Sequence, residues 1–277
     1  MNCFECGKES WQRMFRQGDK LAIAFSGGKD STALLYLMHK HFSKSNELHA
    51  IMVDEGYKGY RDESIKIGLK HLKKLKIPFT IKYFKNEFGF QMQDKLIDLK
   101  KKKLGQSCSV CGTLRRALLN ETARGLKADR LLTGHNLDDE CQSIVMNFFQ
   151  NDFNRMLKLR PVESAFLSEG FVKRAKPFYS IPETELQAYC LLNKLKHYSS
   201  DCCPASHSVK RRFYKNKLNE FEARFPGTKQ STLNFFEGLL PLIKEKGIKG
   251  RQSCIECGQP STGRQCRKCM FLKKLAD

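Results

Sequence analysis

Apolar residues fall along this chain in short continuous blocks separated by longer stretches of helical spacing. Leu21 to Phe25 is an unbroken apolar run that ends at the small residues Ser26-Gly27-Gly28, and Ala33 to Met38 resumes with a period near 3.6. The pattern predicts a buried strand, a tight loop and a helix. Leu48 to Val53 repeats it, closing on Asp54-Glu55-Gly56, and Ser64 to Leu75 places Ile65, Ile67, Leu69, Leu72 and Leu75 at crossover-helix spacing. Ile77 to Phe84, with Pro78 at its start, reads as a third strand. From Cys108 a helical stretch puts Leu114, Ala117, Leu118 and Ala123 on one face. Residues 130–135 then read as a fourth strand, followed by a helix whose start is crowded by Asp138, Asp139 and Glu140. Phe171 to Phe178 reads as the last strand. Further helices are expected from Pro182 to about Lys194, from His207 to Phe225, where Pro226-Gly227 stops a basic amphipathic run, and over residues 230–243. Alternating strands and helices predict an α/β fold with a mostly parallel sheet covered on both faces, and loops at residues 26, 54 and 134 meeting at one crevice.

The chain is 277 residues long, enough for one large α/β domain with small appendages. Its 50 Lys and Arg against 29 Asp and Glu give a net charge of +21, which points to a polyanionic partner, with anionic lipid or a merely lysine-rich solvated surface as competing explanations. No run approaches the roughly 18 apolar residues of a spanning helix, and MNCFECGKES is no signal segment, so a cytoplasmic location without membrane association is expected. In that compartment the 12 cysteines stay reduced, and reduced cysteines in pairs suggest metal.

The loop after the first strand carries the clearest chemistry. Two glycines allow close backbone approach to a ligand, and the unpaired N–H groups of the following helix point at the loop. Lys29 adds a charge there, and Ser26, Ser31 and Thr32 add hydroxyls, a phosphate-binding set. Asp30 beside a phosphate caps the helix or orients magnesium. The spacing is neither GxxxxGK[ST] nor GxGxxG. Asp54, at a strand end, reaches either a ribose or adenine, or only its own turn.

Cys254-x2-Cys257 and Cys266-x2-Cys269 place four thiolates within tetrahedral reach of one zinc, in a tail too small to fold unaided; iron is the alternative. Cys108 and Cys111 lack a neighbouring second pair. They are a redox pair, half a zinc site, or two ligands of an iron-sulfur cluster, with Cys202 and Cys203 available downstream. Three thiolates are the natural count for a 4Fe-4S cluster with one iron open. The charge run from Lys95 to Lys103 precedes this pair and is either a solvated face or a substrate-facing one. Cys141 and Cys190 lie in apolar helical patterns and read as buried thiols.

SGGKDST at 26–32 resembles the PP-loop of ATP pyrophosphatases. Together with CSVCG at 108–112, TGHNLDDE at 133–140, CCP at 202–204 and the closing CxxC pairs, it is similar to the tRNA 2-thiolation family over nearly the whole chain. FPGTKQSTLNFFE at 225–237 resembles the 2-thiouridine branch rather than the cytidine-32 one. The resemblance implies an adenine nucleotide alpha-hydrolase-like fold with a C-terminal zinc ribbon. It implies ATP phosphates on Ser26, Gly27, Gly28, Lys29, Asp30 and Ser31, with Mg2+; Gly134, His135 and Asp138 lining the nucleotide crevice; and Asp54 near the adenosine. The cluster ligands fall on Cys108, Cys111 and, before the proline, Cys203, with Cys202 able to substitute. With Asp30, these three cysteines are the implied catalytic residues. Family members generally begin with a complete zinc module. Here Cys3-x2-Cys6 matches only its first half, and no cysteine or histidine follows before the PP-loop.

The implied organisation is a lead over 1–18, a catalytic domain over 19–200, a cysteine loop and basic tRNA-binding extension over 201–249, and a ribbon over 250–277. The implied reaction adenylates a uridine C2 oxygen in tRNA and replaces it with sulfur. The sulfur comes from sulfide or a ubiquitin-like thiocarboxylated carrier; a persulfide on Cys111 or Cys203 is the rival route, and a homodimer is kept open. Wobble uridine 34 is preferred to uridine 54, because the cysteine- and asparagine-containing composition is not that of a thermophile. A small-molecule PP-loop enzyme leaves the charge and ribbon idle, and a non-catalytic zinc-ribbon RNA binder leaves SGGKDS idle.

Overall fold

The computed structural model describes Trp11 and residues 14–102, 107–156, 159–162, 170–199, 209–242 and 252–276. Cys3, Cys6, Cys202 and Cys203 lie outside the described residues. Five parallel strands form the main sheet: β1 (Lys20–Ala24), β2 (Glu47–Asp54), β3 (Phe79–Tyr83), β4 (Arg130–Leu132) and β5 (Lys173–Ala175). Their order is β3-β2-β1-β4-β5, with Leu21 opposite Leu48 on one side and Arg130 on the other. Leu21, Ala22 and Ile23 are fully buried, as a central parallel strand covered on both faces requires. The order reverses between β1 and β4, so the ligand crevice opens at their carboxyl ends.

The longer helices are α1 (Lys29–Phe42), α2 (Arg61–Leu75), α3 (Ser107–Gly125), α4 (Leu137–Phe149), α5 (Glu183–Leu192), α6 (Val209–Arg224), α7 (Thr228–Leu239) and α8 (Arg267–Ala276). α1 buries Leu34, Leu35, Leu37 and Met38 in a core shared with Trp11, Phe15 and Phe178. Each such side chain contributes about 1.5–3 kcal/mol on burial. Asn136 caps α4 through its side chain, accepting from the Asp139 N–H, while Asp139 accepts from the Asn136 N–H. A second cluster joins Val110, Leu114 and Leu118 of α3 to Phe271 and Leu275 of α8. The tail, a separate element by sequence, is thus docked on the cysteine-bearing helix. Its hairpin pairs β6 (Gln252–Ser253) antiparallel with β7 (Pro260–Ser261). A third cluster holds α4 against Leu218 of α6 and Leu233 and Phe236 of α7.

Boundaries differ from the pattern in places. β4 and β5 have three residues each: after Leu132 the chain leaves the sheet for the crevice, and after Ala175 it turns, with the Tyr179 N–H donating to the Lys176 carbonyl. Phe84 begins a helical turn instead of ending β3, and Pro182 is the N-cap of α5. Among the described residues no helix is long and apolar enough to cross a membrane.

Candidate active site

The loop between β1 and α1 is shaped by its glycines and serines. Gly27 has φ +81°, and a Cβ there would stand 2.3 Å from the Ser64 carbonyl oxygen of α2, so only glycine fits. The Ser26 N–H and hydroxyl meet the Ser31 hydroxyl at 3.2 and 3.0 Å, and Ser31 Oγ lies 3.0 Å from the Gly28 carbonyl. Gly28 is the N-cap of α1 and supplies no side chain, which leaves the first-turn N–H groups for an anion. A Cβ on Gly134 would lie 3.1 Å from the Asp30 carbonyl carbon, which brings the loop after β4 directly onto this turn.

Lys29 Nζ lies 3.3 Å from Asp30 Oδ2 and also pairs with Glu183 at the start of α5, which pairs in turn with Lys215 of α6 at 2.8 Å. Burial opposes the Lys29 charge, but Asp30 and Glu183 outweigh it and raise the pKa. Burial pushes the Asp30 carboxyl up to about 6 against the pull of Lys29. Asp30 Oδ1 is buried without a hydrogen-bond partner. A buried, unpartnered carboxylate oxygen beside a phosphate loop is a donor that fits magnesium.

At the second strand end Asp54 takes the turn, one of the two readings the sequence leaves open. Asp54 accepts from the Gly56 N–H at 2.8 Å, closing its own turn, and does not line the cavity. Its neighbour Glu55 does: it is buried and ion-paired with Arg61 at 2.7 Å and Arg115 at 3.0 Å. Arg61 also donates to the Ser26 carbonyl at 3.0 Å and to the Val53 carbonyl, tying β2 to the phosphate loop. Asp138, expected in the crevice, pairs with Lys229 of α7 and accepts from the Glu183 N–H at 2.8 Å; it stands outside the cavity lining. His135 does line the cavity, with Nδ1 3.0 Å from the Thr133 hydroxyl. Desolvation by the surrounding protein, with Lys176, Arg174 and Arg211 adding to it and Asp139 opposing, lowers its pKa to about 4. The imidazole is therefore neutral at physiological pH.

A cavity of about 780 Å³ runs from Ser26, Gly28, Asp30 and Ser31 past Gly134 and His135 to Cys111, and on to the tail at Gln259, Cys266 and Arg267. Its size falls within the roughly 300–1,000 Å³ of small-ligand pockets. Cys111 is buried in its wall, and Cys108, one helical turn earlier on α3, is exposed. The pair thus presents two thiols on one helix face, a donor set that fits part of a cluster. The Sγ atoms of Cys254, Cys257, Cys266 and Cys269 all lie within 4.8 Å of one another, a metal-binding set. Within the set the Cys266 N–H donates to Cys254 Sγ at 3.2 Å, a contact that favours the thiolate a metal needs. Cys141 and Cys190 are buried, and burial raises their thiols to about 12 and about 11, as inert structural cysteines.

The PP-loop domain family matches residues 8–222. A probable sulfurtransferase of Methanocaldococcus jannaschii is 34% identical over 288 residues, covering 99% of this chain and 83% of its own. Cytoplasmic tRNA 2-thiolation protein 1 of Dictyostelium discoideum is 31% identical over 265 residues, covering 95% and 72%. Among solved structures, the U34-tRNA thiolase NcsA from Methanococcus maripaludis with its 4Fe-4S cluster superposes with a TM-score of 0.80 at 31% identity, covering 99% of this chain and 89% of that one. With a phosphate loop, a cavity-lining cysteine and a four-cysteine tail in one connected site, the chain belongs to the PP-loop tRNA-thiolation family.

Proposed function

We propose that this chain is a cytoplasmic, ATP-dependent tRNA-uridine 2-sulfurtransferase that acts on wobble uridine 34. The observation that carries this is the shared cavity: Ser26 and Ser31 of the phosphate loop and Cys111 of α3 line one space. Activation by ATP and delivery of sulfur can therefore occur on one base without its release. A uridine C2 oxygen is a poor leaving group, and adenylation converts it into AMP. The α1 N–H groups and Lys29 stabilise charge on the transferring phosphates, and Asp30 would hold Mg2+ through its unpartnered oxygen. Neutral His135, oriented by Thr133, offers a hydrogen bond beside the reacting base without adding charge. Cys108, Cys111 and Cys203 would hold a 4Fe-4S cluster, which when bound supplies an iron site for sulfide. The sulfur source is sulfide or a ubiquitin-like thiocarboxylated carrier. Cys254, Cys257, Cys266 and Cys269 would hold zinc, fixing the ribbon of 250–277 against the catalytic unit of 19–200, with 201–249 as the basic extension and 1–18 as the lead.

The relatives support this reading by their names: a probable sulfurtransferase, a cytoplasmic tRNA 2-thiolation protein and a U34-tRNA thiolase. Pyrophosphate release is the test. Release should require tRNA, vanish in Lys29→Ala, and persist without thiolation in Cys111→Ser. Release at full rate without tRNA would instead indicate a small-molecule PP-loop enzyme.

A further inference from the structure

Asp138 of the TGHNLDDE segment stands outside the cavity, and FPGTKQSTLNFFE at 225–237 lies far along the chain, yet the structure joins the two. Lys229, in the first turn of α7, is buried and pairs with Asp138, in the first turn of α4. The attraction within a buried ion pair barely offsets its desolvation, so the pair matters less for stability than for what else it holds. Asp138 Oδ2 accepts the Glu183 N–H at 2.8 Å. That donor is an orphan of the first turn of α5, because the N-cap, Pro182, has no side chain able to accept it. The Glu183 carboxylate in turn pairs with Lys29 through Oε1 and with Lys215 of α6 through Oε2, the latter at 2.8 Å. Lys229 is fixed from further sides. Its Nζ donates to Asn219 Oδ1 at 2.7 Å, its N–H donates to Glu222 Oε2 at 2.7 Å, and its carbonyl accepts from the Cys141 thiol at 3.0 Å. One connected path thus runs from α7 through the starts of α4 and α5 to the phosphate-loop lysine.

We propose that Lys229 is a positioning residue for Lys29, acting through Asp138 and Glu183 to set the ammonium beside Asp30 before ATP arrives. The inference rests on the assignment of ATP to the phosphate loop and deepens it. A lysine has a flexible four-carbon stem, whose rotamer freedom is lost when its charge meets a phosphate. Restraint by Glu183 moves that loss from binding to folding, which is preorganisation. Of the three ammonium donors, two meet Asp30 and Glu183, which leaves one for a phosphate oxygen. Glu183 can impose this restraint only if its own backbone is fixed, and the Asp138 carboxylate is the partner of its N–H. Asp138 needs Lys229, because a buried carboxylate left alone is costly. The α6–α7 pair, part of the basic extension, thereby completes the ATP site.

The test uses the full-length chain. Asp138→Ala combined with Lys229→Met leaves neither partner of the buried pair charged, so the fold should hold, as a urea midpoint verifies. Should that pair unfold, Asp138→Asn with Lys229→Met, nearer the native volume, takes its place. Isothermal titration with a non-hydrolysable ATP analogue and Mg2+ should show Kd raised by about tenfold, the scale of one long side chain's rotamer freedom. In the empty protein, acetylation of Lys29 followed by mass spectrometry should run faster than in wild type, while exposed Lys66 on α2 labels at its wild-type rate. Glu183→Gln removes the charge that holds Lys29 and leaves Asp138 and Lys229 paired. It should reproduce both changes, and adding it to the pair variant should change Kd by less than about twofold further, since both act on one path. Unchanged Kd and Lys29 labelling in a folded pair variant would overturn the positioning role. So would Lys29 and Lys66 labelling rising together, losses that multiply, or a lower Kd in Glu183→Gln, which would make that carboxylate a competitor of phosphate. Should wild type bind no ATP analogue, the assignment of the loop falls, and Lys29 labelling decides the positioning role on its own.

Discussion

Gly27 illustrates how one residue sets the phosphate loop. A Gly27→Ala chain must adopt φ +81° with a Cβ against the Ser64 carbonyl. The backbone alone costs about 1–2 kcal/mol, and isothermal titration should show ATP binding lost before global stability is. His135 makes a pH-dependent contribution of definite sign. Its folded pKa is depressed to about 4, below the ordinary histidine value of 6.5, so the unfolded chain takes up the proton first. Stability tied to the neutral ring is present above about pH 6.5 and lost as pH falls toward 4. Because the ring faces solvent the effect is small: denaturant midpoints from pH 7 to 4.5 should fall slightly less steeply in His135→Gln than in wild type. The serines, glycines and Lys29 of the loop were legible in sequence because a strand, a tight turn and a helix start leave few other uses for them. Glu55 was not. Adjacent residues at a strand end point to opposite sides, and nothing in Asp54-Glu55-Gly56 says which carboxylate faces the crevice and which closes the turn.

Among the elements, α8 couples the ribbon to the catalytic unit. Phe271 and Leu275 share a buried cluster with Val110 and Leu114 of α3, the helix that carries Cys108 and Cys111. Phe271→Ala removes a buried ring of a kind worth about 3–5 kcal/mol, and the loss should appear as faster hydrogen exchange in α8 and α3 with β1 and α1 unchanged. Chelation of the metal held by the four tail cysteines should produce the same map. Equal protection of α3 before and after verified metal loss would show that the ribbon is only tethered. No periodicity in the chain relates positions 271 and 275 to 110 and 114, which is why the tail read as separate. β4 and β5 were read as longer than they are because apolar residues such as Phe178 continue past the strand into buried turns, and hydrophobicity alone does not mark where pairing stops.

For the whole molecule, the excess of +21 is best tested where side chains are uncommitted. Arg211 of α6 is engaged with Asp139 and Gln142, whereas Lys210 and Arg212 are exposed. Lys210→Gln and Arg212→Gln should each reduce the slope of log affinity for tRNA against log salt by about 1 if each meets a phosphate, with ATP affinity unchanged. The central claim is that one cavity joins ATP activation to sulfur delivery on a tRNA uridine. Its most direct test is nucleoside mass spectrometry of tRNA fragments after incubation of unmodified tRNA with the reconstituted protein, ATP and sulfide. The account predicts an ATP-dependent exchange of oxygen for sulfur confined to the wobble uridine of the anticodon fragment and absent with Cys111→Ser. Sulfur found only in the T-loop fragment would contradict the assigned position, and sulfur incorporated without ATP would contradict the mechanism.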